Sequence, residues 1–429
     1  MATEPIKSVY RPFGDGGRFL LYAGGIEFPA LDVPVPGQVE LELNPGIELR
    51  VHLIGPGSVS ARADAEDPPT FTVPLDADLT PPGESVLAER KSASARAEFP
   101  AGRMTAGRLE QASRLLLHVG GGFDSQATPR RLTGGGFQPQ IDFSLPGWDL
   151  VLVPGTVTRE CHDFAAIISA APTTASPSEE AVDRLRRRLF ILLSFIANRE
   201  VDGPACGLRD DGTIAWAEWT SPRIKPGKSA VTWCPAPLVE EAIPELAKGL
   251  STVASDEDLE VIVDRAIGYS LAANGEEVIE VRIPIVCSGL ELLAWAVLQR
   301  ESWLIDSDSH RRLGTAARVR LLLKWAGIPT AVPSSLPLLA AHLATLGRPE
   351  WEGPEILFNI RNAMVHPPRR LSEPEWPDAE LLVEAWLLGT WYLELALLRI
   401  LGYQGRYWSR IRLNRPAADG EPVPWCASV

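Results

Sequence analysis

The apolar positions of this chain change their period near Ser176. Up to about residue 155 they fall in short alternating runs, Arg18–Ala23, Val39–Leu43, Glu48–Ile54, Ser113–Val119 and Trp148–Val153, separated by Gly/Pro turns. Alternation sends successive side chains to opposite faces of a strand, and several such runs at close spacing predict a sandwich-like unit. Residues 1–155 therefore read as a β-rich domain. Between residues 64 and 96 the pattern lapses into Ala, Asp, Pro and Ser. The two Gly-Gly-Gly-Phe segments, ending at Phe123 and Phe137, read as turns. They lack the Lys-Ser/Thr ending or GxGxxG spacing and the following helix of a phosphate loop, which excludes nucleotide binding there.

From Ser176 the period is helical. Ser176-Pro177-Ser178-Glu179 reads as a capping box with Pro at the first helical position, and Leu185, Leu189, Leu192, Leu193 and Ile196 share one face behind it. The basic run Arg184–Arg188 reads first as the solvated face of that helix. Residues 156–284 are a mixed region: a Gly/Pro/Trp-rich, strand-like stretch over 200–235, helices at Pro237–Leu250 and Ser255–Ala273, then a strand-like run at Glu277–Ile285. Residues 285–415 are helical throughout. Helices are predicted at Ser288–Ile305, Ser309–Ala326 (stopped by Gly327), Ser335–Leu346, Pro354–His366 (stopped by Pro367 and Pro368) and Asp378–Leu401. Five helices over this length predict a compact all-α bundle, leaving 416–429 as a tail. The fold class is α+β.

Composition narrows the function. The net charge is −14, but from residue 281 onward basic and acidic residues nearly balance, so the negative excess lies upstream. That excludes a chain coated in nonspecific nucleic-acid-binding surface. The start has no apolar h-region of a secretory signal. The most apolar stretch, Leu381–Leu401, contains Glu384, Glu394 and Arg399, which are costly in a bilayer, so it reads as a buried helix and no membrane partner is expected. Five scattered cysteines with no CxxC fit free thiols in a cytoplasmic protein, with no metal site and no cofactor.

One segment carries chemistry: Ile360-Arg361-Asn362-Ala363-Met364-Val365-His366-Pro367. Asn362 and His366 are four apart on a helix and share a face, with Arg361 about 100° away. Pro367 pushes His366 out of helical geometry, so its ring sits at a helix exit. Metal-independent RNA cleavage needs a base to take the ribose 2′-hydroxyl proton, for which imidazole is suited. It also needs a fixed cation to offset charge on the phosphorane, for which guanidinium is suited. Asn362 would orient either the imidazole or the phosphate. Of the six histidines, His366 alone has an arginine five to seven residues upstream.

With a spacer of four residues and a polar residue directly after Arg361, this segment resembles the HEPN superfamily (higher eukaryotes and prokaryotes nucleotide-binding). The apolar stretch Glu384–Tyr403 resembles the closing helix of HEPN proteins of the ApeA or YopA-central-domain kind. The resemblance covers about residues 285–415. It implies a helical domain that homodimerises to join two Arg/His sets, with Arg361, Asn362 and His366 as catalytic residues. It implies metal-independent endoribonuclease activity that leaves a 2′,3′-cyclic phosphate. The setting it implies is bacterial antiphage defence or toxin-like abortive infection, with the β-rich front answering to a phage-derived or cellular trigger.

Further candidates for RNA contact are Arg369 and Arg370, just past the motif, and the basic and aromatic cluster Tyr403, Arg406, Tyr407 and Arg410 after the last helix. For that cluster, packing of the tail against the bundle is the competing expectation. Asp306, Asp308 and His310 read as a loop and cap. The alternative function for the whole chain is a non-catalytic sensor or scaffold, in which Arg361 and Asn362 brace the bundle and His366 closes a helix. Exposure of Arg361 and His366 separates the two readings.

Overall fold

The computed structural model describes residues 5–10, 12–13, 18–27, 34–42, 48–54, 73, 77–79, 96–101, 103–120, 123–132, 135–155, 164–174, 177–220, 231–275, 278–301, 304–366, 377–412 and 420–426. They form an α+β protein with two compact units, one of residues 1–190 and 200–228, the other of residues 191–199 and 229–429.

The first unit is built on two antiparallel sheets. Strands β1 (Pro12–Phe13), β2 (Arg18–Ile26), β3 (Val35–Glu42), β4 (Glu48–Ile54) and β5 (Arg96–Ala101) pair in sequence order. The second sheet uses β6 (Arg103–Gly107), β7 (Arg114–Val119), β10 (Ile141–Leu145), β11 (Trp148–Pro154), β12 (Ala166–Pro172), β13 (Ala205–Leu208) and β14 (Ile214–Thr220), in the order β10-β11-β12-β7-β13-β14-β6. A separate ribbon pairs β8 (Pro129–Arg131) with β9 (Phe137–Pro139). One core joins the sheets: Phe19, Leu21, Val39, Leu41, Leu49 and Val51 from the first, and Met104, Leu116, Phe164, Ala217 and Trp219 from the side of the second. That is the sandwich expected from period-two patterning. The strand-like middle stretch supplies β13 and β14 to the same sheet as the earlier strands.

Helix α1 (Glu179–Ala197) begins at Ser178, whose hydroxyl accepts from the Ala181 amide at 3.2 Å. The cap is therefore Ser178, while Ser176 lies outside the described residues. Arg186 of this helix is 7% exposed and pairs with Glu218 of β14 and with Asp202, and Arg103 reaches Glu218 at 2.8 Å. Ala217 and Trp219 point into the sandwich core, so alternation puts Glu218 on the opposite face, where α1 meets it.

The second unit is helical: α2 (Val239–Val253), α3 (Glu257–Gly275), α4 (Ile279–Trp295), α5 (Ser307–Arg312), α6 (Thr315–Ala326), α7 (Pro337–Leu346), α8 (Gly353–Val365) and α9 (Ala379–Ile400), then a ribbon of β15 (Arg406–Tyr407) and β16 (Glu421–Pro422). Two expectations are corrected here. The strand expected over Glu277–Ile285 is replaced, from Ile279 onward, by α4. Its β-branched residues have high strand propensity, but Ile283, Val286, Cys287, Leu290 and Leu293 are buried at helical spacing, and burial outweighs propensity. The helix expected over Ser309–Ala326 is split in two at Leu313-Gly314, and Asp306 caps the first piece by accepting from the amides of Asp308 and Ser309 at 2.9 Å.

Helix α9 is the axis of this unit. Its residues from Leu387 to Leu398 are all buried. A Cβ on Gly389 would lie 2.8 Å from Val286 of α4 and 3.3 Å from Leu357 of α8, so three helices meet at this residue. Both Ile279–Arg300 and Ala379–Ile400 are long and apolar enough to span a bilayer, and the second has 78% of its apolar window buried within the unit.

Candidate functional site

The front of α8 is pinned and its end is exposed. Glu352 and Glu355 form a capping box around Gly353 and Pro354. Arg320 and Lys324 of α6 pair with Glu355 at 2.7 Å and with Glu352 at 3.6 Å. The Gly353 amide and the Tyr392 hydroxyl both donate to the carbonyl of Thr330, at 2.7 and 3.2 Å. Ile356, Leu357, Phe358 and Ile360 are buried, whereas Asn362, Ala363, Val365 and His366 are exposed. The apolar stripe of α8 thus runs out one residue before the motif begins.

At that end Arg361 is half-buried. Its Nη1 donates to Asn362 Oδ1 at 3.0 Å, and its Nε is buried without a hydrogen-bond partner. The guanidinium lies close to α4: burial pushes the Cys287 thiol well above its ordinary range, the neighbouring Arg361 pulls it back, and Glu291 pushes it further up. His366 is the C-cap, extended at φ −108° and ψ 125°, with its amide donating to the Asn362 carbonyl at 3.0 Å. This is the non-helical backbone expected before Pro367. Among the described residues its ring makes no hydrogen bond, so both nitrogens are open to a ligand. The helix thus brings a guanidinium, an amide and an exposed imidazole to one turn.

The other candidates divide differently. Arg369 and Arg370 lie outside the described residues. Arg406 is exposed, with its guanidinium held on the Gly420 carbonyl. Tyr407 and Arg410 correct the expectation of an RNA-facing cluster, because both are buried. The Tyr407 hydroxyl accepts from the Trp391 indole at 3.1 Å and contacts Glu421 at 3.0 Å. The Arg410 side chain is 0% exposed, with Nε and Nη2 on Glu394 at 2.8 Å and Nη2 on the Val231 carbonyl. Glu394 stands in the middle of the apolar run Trp391–Leu398, and a carboxylate there needs a cation from elsewhere in the chain. That was the signal in the sequence that could have assigned Arg410.

Within the helical unit, residues 256–421 match the YopA C-terminal domain family. The match begins at Asp256, whose carboxylate caps α3, and ends at β16, so it contains the whole Arg361–His366 turn. The likeness is to the C-terminal YopA domain rather than to the central one. The chain is also 27% identical over 251 residues to the SPbeta prophage-derived uncharacterized protein YopA of Bacillus subtilis (strain 168), an alignment covering 57% of this chain. It covers 53% of that protein, so the chain spans about half the length of the curated relative it matches. No solved structure matches.

Proposed function

We propose that this chain is a metal-independent HEPN endoribonuclease. The observation that carries this reading is the last turn of α8, where a half-buried Arg361, an exposed Asn362 and an exposed His366 whose ring has no partner among the described residues share one helix end. In this mechanism the ribose 2′-hydroxyl proton passes to His366 and the O2′–P bond forms. The P–O5′ bond then breaks, and the departing 5′-oxygen takes up a proton, leaving a 2′,3′-cyclic phosphate. Arg361 balances the charge that grows on the phosphorane oxygens, and Asn362 holds the guanidinium in place through its carbonyl oxygen.

A homodimer would supply the second imidazole as the acid for the leaving oxygen. Helix α4, next to Arg361, offers a face for it. Val281, Ile285, Ser288, Leu292 and Trp295, with Val278 just ahead of the helix, recur at spacings of three and four, the seam spacing of paired helices. Val278, Val281 and Trp295 are 51%, 44% and 40% exposed and Ile285, Ser288 and Leu292 partly so, so the described residues leave the two ends of this stripe uncovered. We place this activity in bacterial defence or toxin-like abortive infection in the cytoplasm, with a trigger received by the β-sandwich; the prophage origin of the relative fits the first of these.

The test is RNA cleavage in excess EDTA by the full chain beside Arg361→Ala and His366→Ala, with product ends identified. Cleavage by the wild type alone, ending in cyclic phosphate, is the expected result. Equal cleavage by the variants would remove the assignment. An inert wild type that nonetheless binds RNA or a trigger would favour the sensor or scaffold reading, which the half-buried Arg361 also suits.

A further inference from the structure

Helix α9 also presents a face whose outer residues, Glu380, Val383 and Glu384, lie outside the buried core, with Leu387 at its buried end. Glu380, Val383, Glu384 and Leu387 recur at helical i, i+3, i+4 and i+7, and together they line a cavity of about 570 Å³ closed by Leu338 of α7 and Ile411. That volume lies in the range of ligand-binding clefts. Val383 is 43% and Leu338 42% exposed, so two aliphatic side chains from separate helices converge on one concave surface while still facing solvent.

Among the described residues the charges around this cavity are unbalanced. Its two arginines are already neutralised, Arg410 by Glu394 and Arg412 by Glu421 at 2.7 Å. The Glu384 carboxylate uses one oxygen to accept from the Leu339 amide at 2.9 Å, and the other has no partner among the described residues. Glu380 is exposed and has no partner among them. An aliphatic wall carrying two carboxylates that no cation among the described residues neutralises is complementary to a cation beside an aliphatic group. A small cation would neutralise the carboxylates and leave Val383 and Leu338 wet. A polypeptide would cover both, since residues 380–387 rise only about 10 Å, the length of two helical turns.

We propose that this cavity docks a segment of a partner polypeptide carrying a Lys or Arg one helical turn from an aliphatic side chain. The contact is small, so its affinity is modest and salt-sensitive. It stands whether or not Arg361 and His366 cleave RNA.

The experiment is fluorescence polarisation of the full chain with short fluorescein-labelled helical peptides bearing Leu and Lys at i, i+3, i+4 spacing, beside a Leu/Glu set. Saturable binding of the Leu/Lys set alone is expected. It should weaken about tenfold in Glu380→Gln/Glu384→Gln and in Val383→Asp, a loss typical of one charge pair or one buried aliphatic group. Glutamine can still accept from the Leu339 amide, so the cap of α7 survives. Glu179→Gln/Glu180→Gln, an equal charge change on α1, should bind as the wild type does. Absence of saturation, equal weakening by the α1 control, or undiminished binding by the cavity variants would overturn the proposal. So would hexylammonium displacing the peptides at equal concentration, which would make this a small-cation site.

Discussion

His118 lies on β7 with no exposed surface, between Tyr10 at 4.9 Å and Phe164 at 4.8 Å; neither ring nitrogen makes a well-formed hydrogen bond, and the Pro204 carbonyl offsets the burial of the charged ring only in part. Burial pushes its pKa down to about 4. In the unfolded chain the ring titrates near 6.5, so between these values the unfolded state holds the proton and the folded state does not. The contribution of neutral His118 is complete above about pH 6.5 and is lost as pH falls towards 4. Each pH unit between the two values is worth about 1.36 kcal/mol, so the full loss is about 3 kcal/mol, of which about 2.5 kcal/mol has gone by pH 4.5. His118→Phe keeps an aromatic ring in the cluster and removes the titration. Urea unfolding of both proteins, followed by tryptophan fluorescence at pH 7 and pH 4.5, isolates the effect, because carboxylate titrations are common to both and cancel. The stability difference should move in favour of the variant by about 2.5 kcal/mol between the two pH values. The phenylalanine protein should also be the more stable at pH 7, since no polar nitrogen is left unpaired. A difference that does not change with pH would show that His118 is solvated or hydrogen-bonded, and would refute the reasoning.

Glu394→Ala should cost about 3–5 kcal/mol in chemical unfolding, because it strands the Arg410 charge inside the helical unit; a loss below about 1 kcal/mol would mean that Arg410 reaches water. Gly389→Ala should lower the melting temperature. Its Cβ meets Val286 at 2.8 Å, and overpacking of about 1–3 kcal/mol outweighs the gain of about 1 kcal/mol in helix propensity. A stabilised variant would show that α4 gives way. Trp295→Asp should convert a dimer to a monomer in light scattering and abolish RNA cleavage together with it; a wild type that is monomeric at micromolar concentration would refute the α4 seam.

The candidate site was legible because it is local. Pro354 at the start of α8, the carboxylates around it and the proline after His366 place three polar side chains on one terminal turn through interactions spanning a few residues. The same holds for strands such as Glu48–Ile54 and for α9, whose apolar run interrupted by Glu384, Glu394 and Arg399 reads as a core helix. Tyr407 and Arg410 were not legible in the same way. A basic and aromatic cluster after a helix reads as an RNA-facing surface until Glu394, sixteen residues back, is known to be buried opposite Arg410.

The sequence by itself determined the period of each segment, hence the sandwich, the bundle and the turn that carries Arg361, Asn362 and His366, because capping, proline geometry and amphipathic spacing act over a handful of residues. Only the tertiary structure decided that Glu277–Ile285 lies in a helix, that β13 and β14 complete a sheet begun much earlier, that Arg410 is an interior counter-ion, and that Glu380 and Glu384 face a cavity. Each of these depends on which distant residues remove a segment from water or leave it there, and burial is set by the packing of the whole unit rather than by neighbours along the chain.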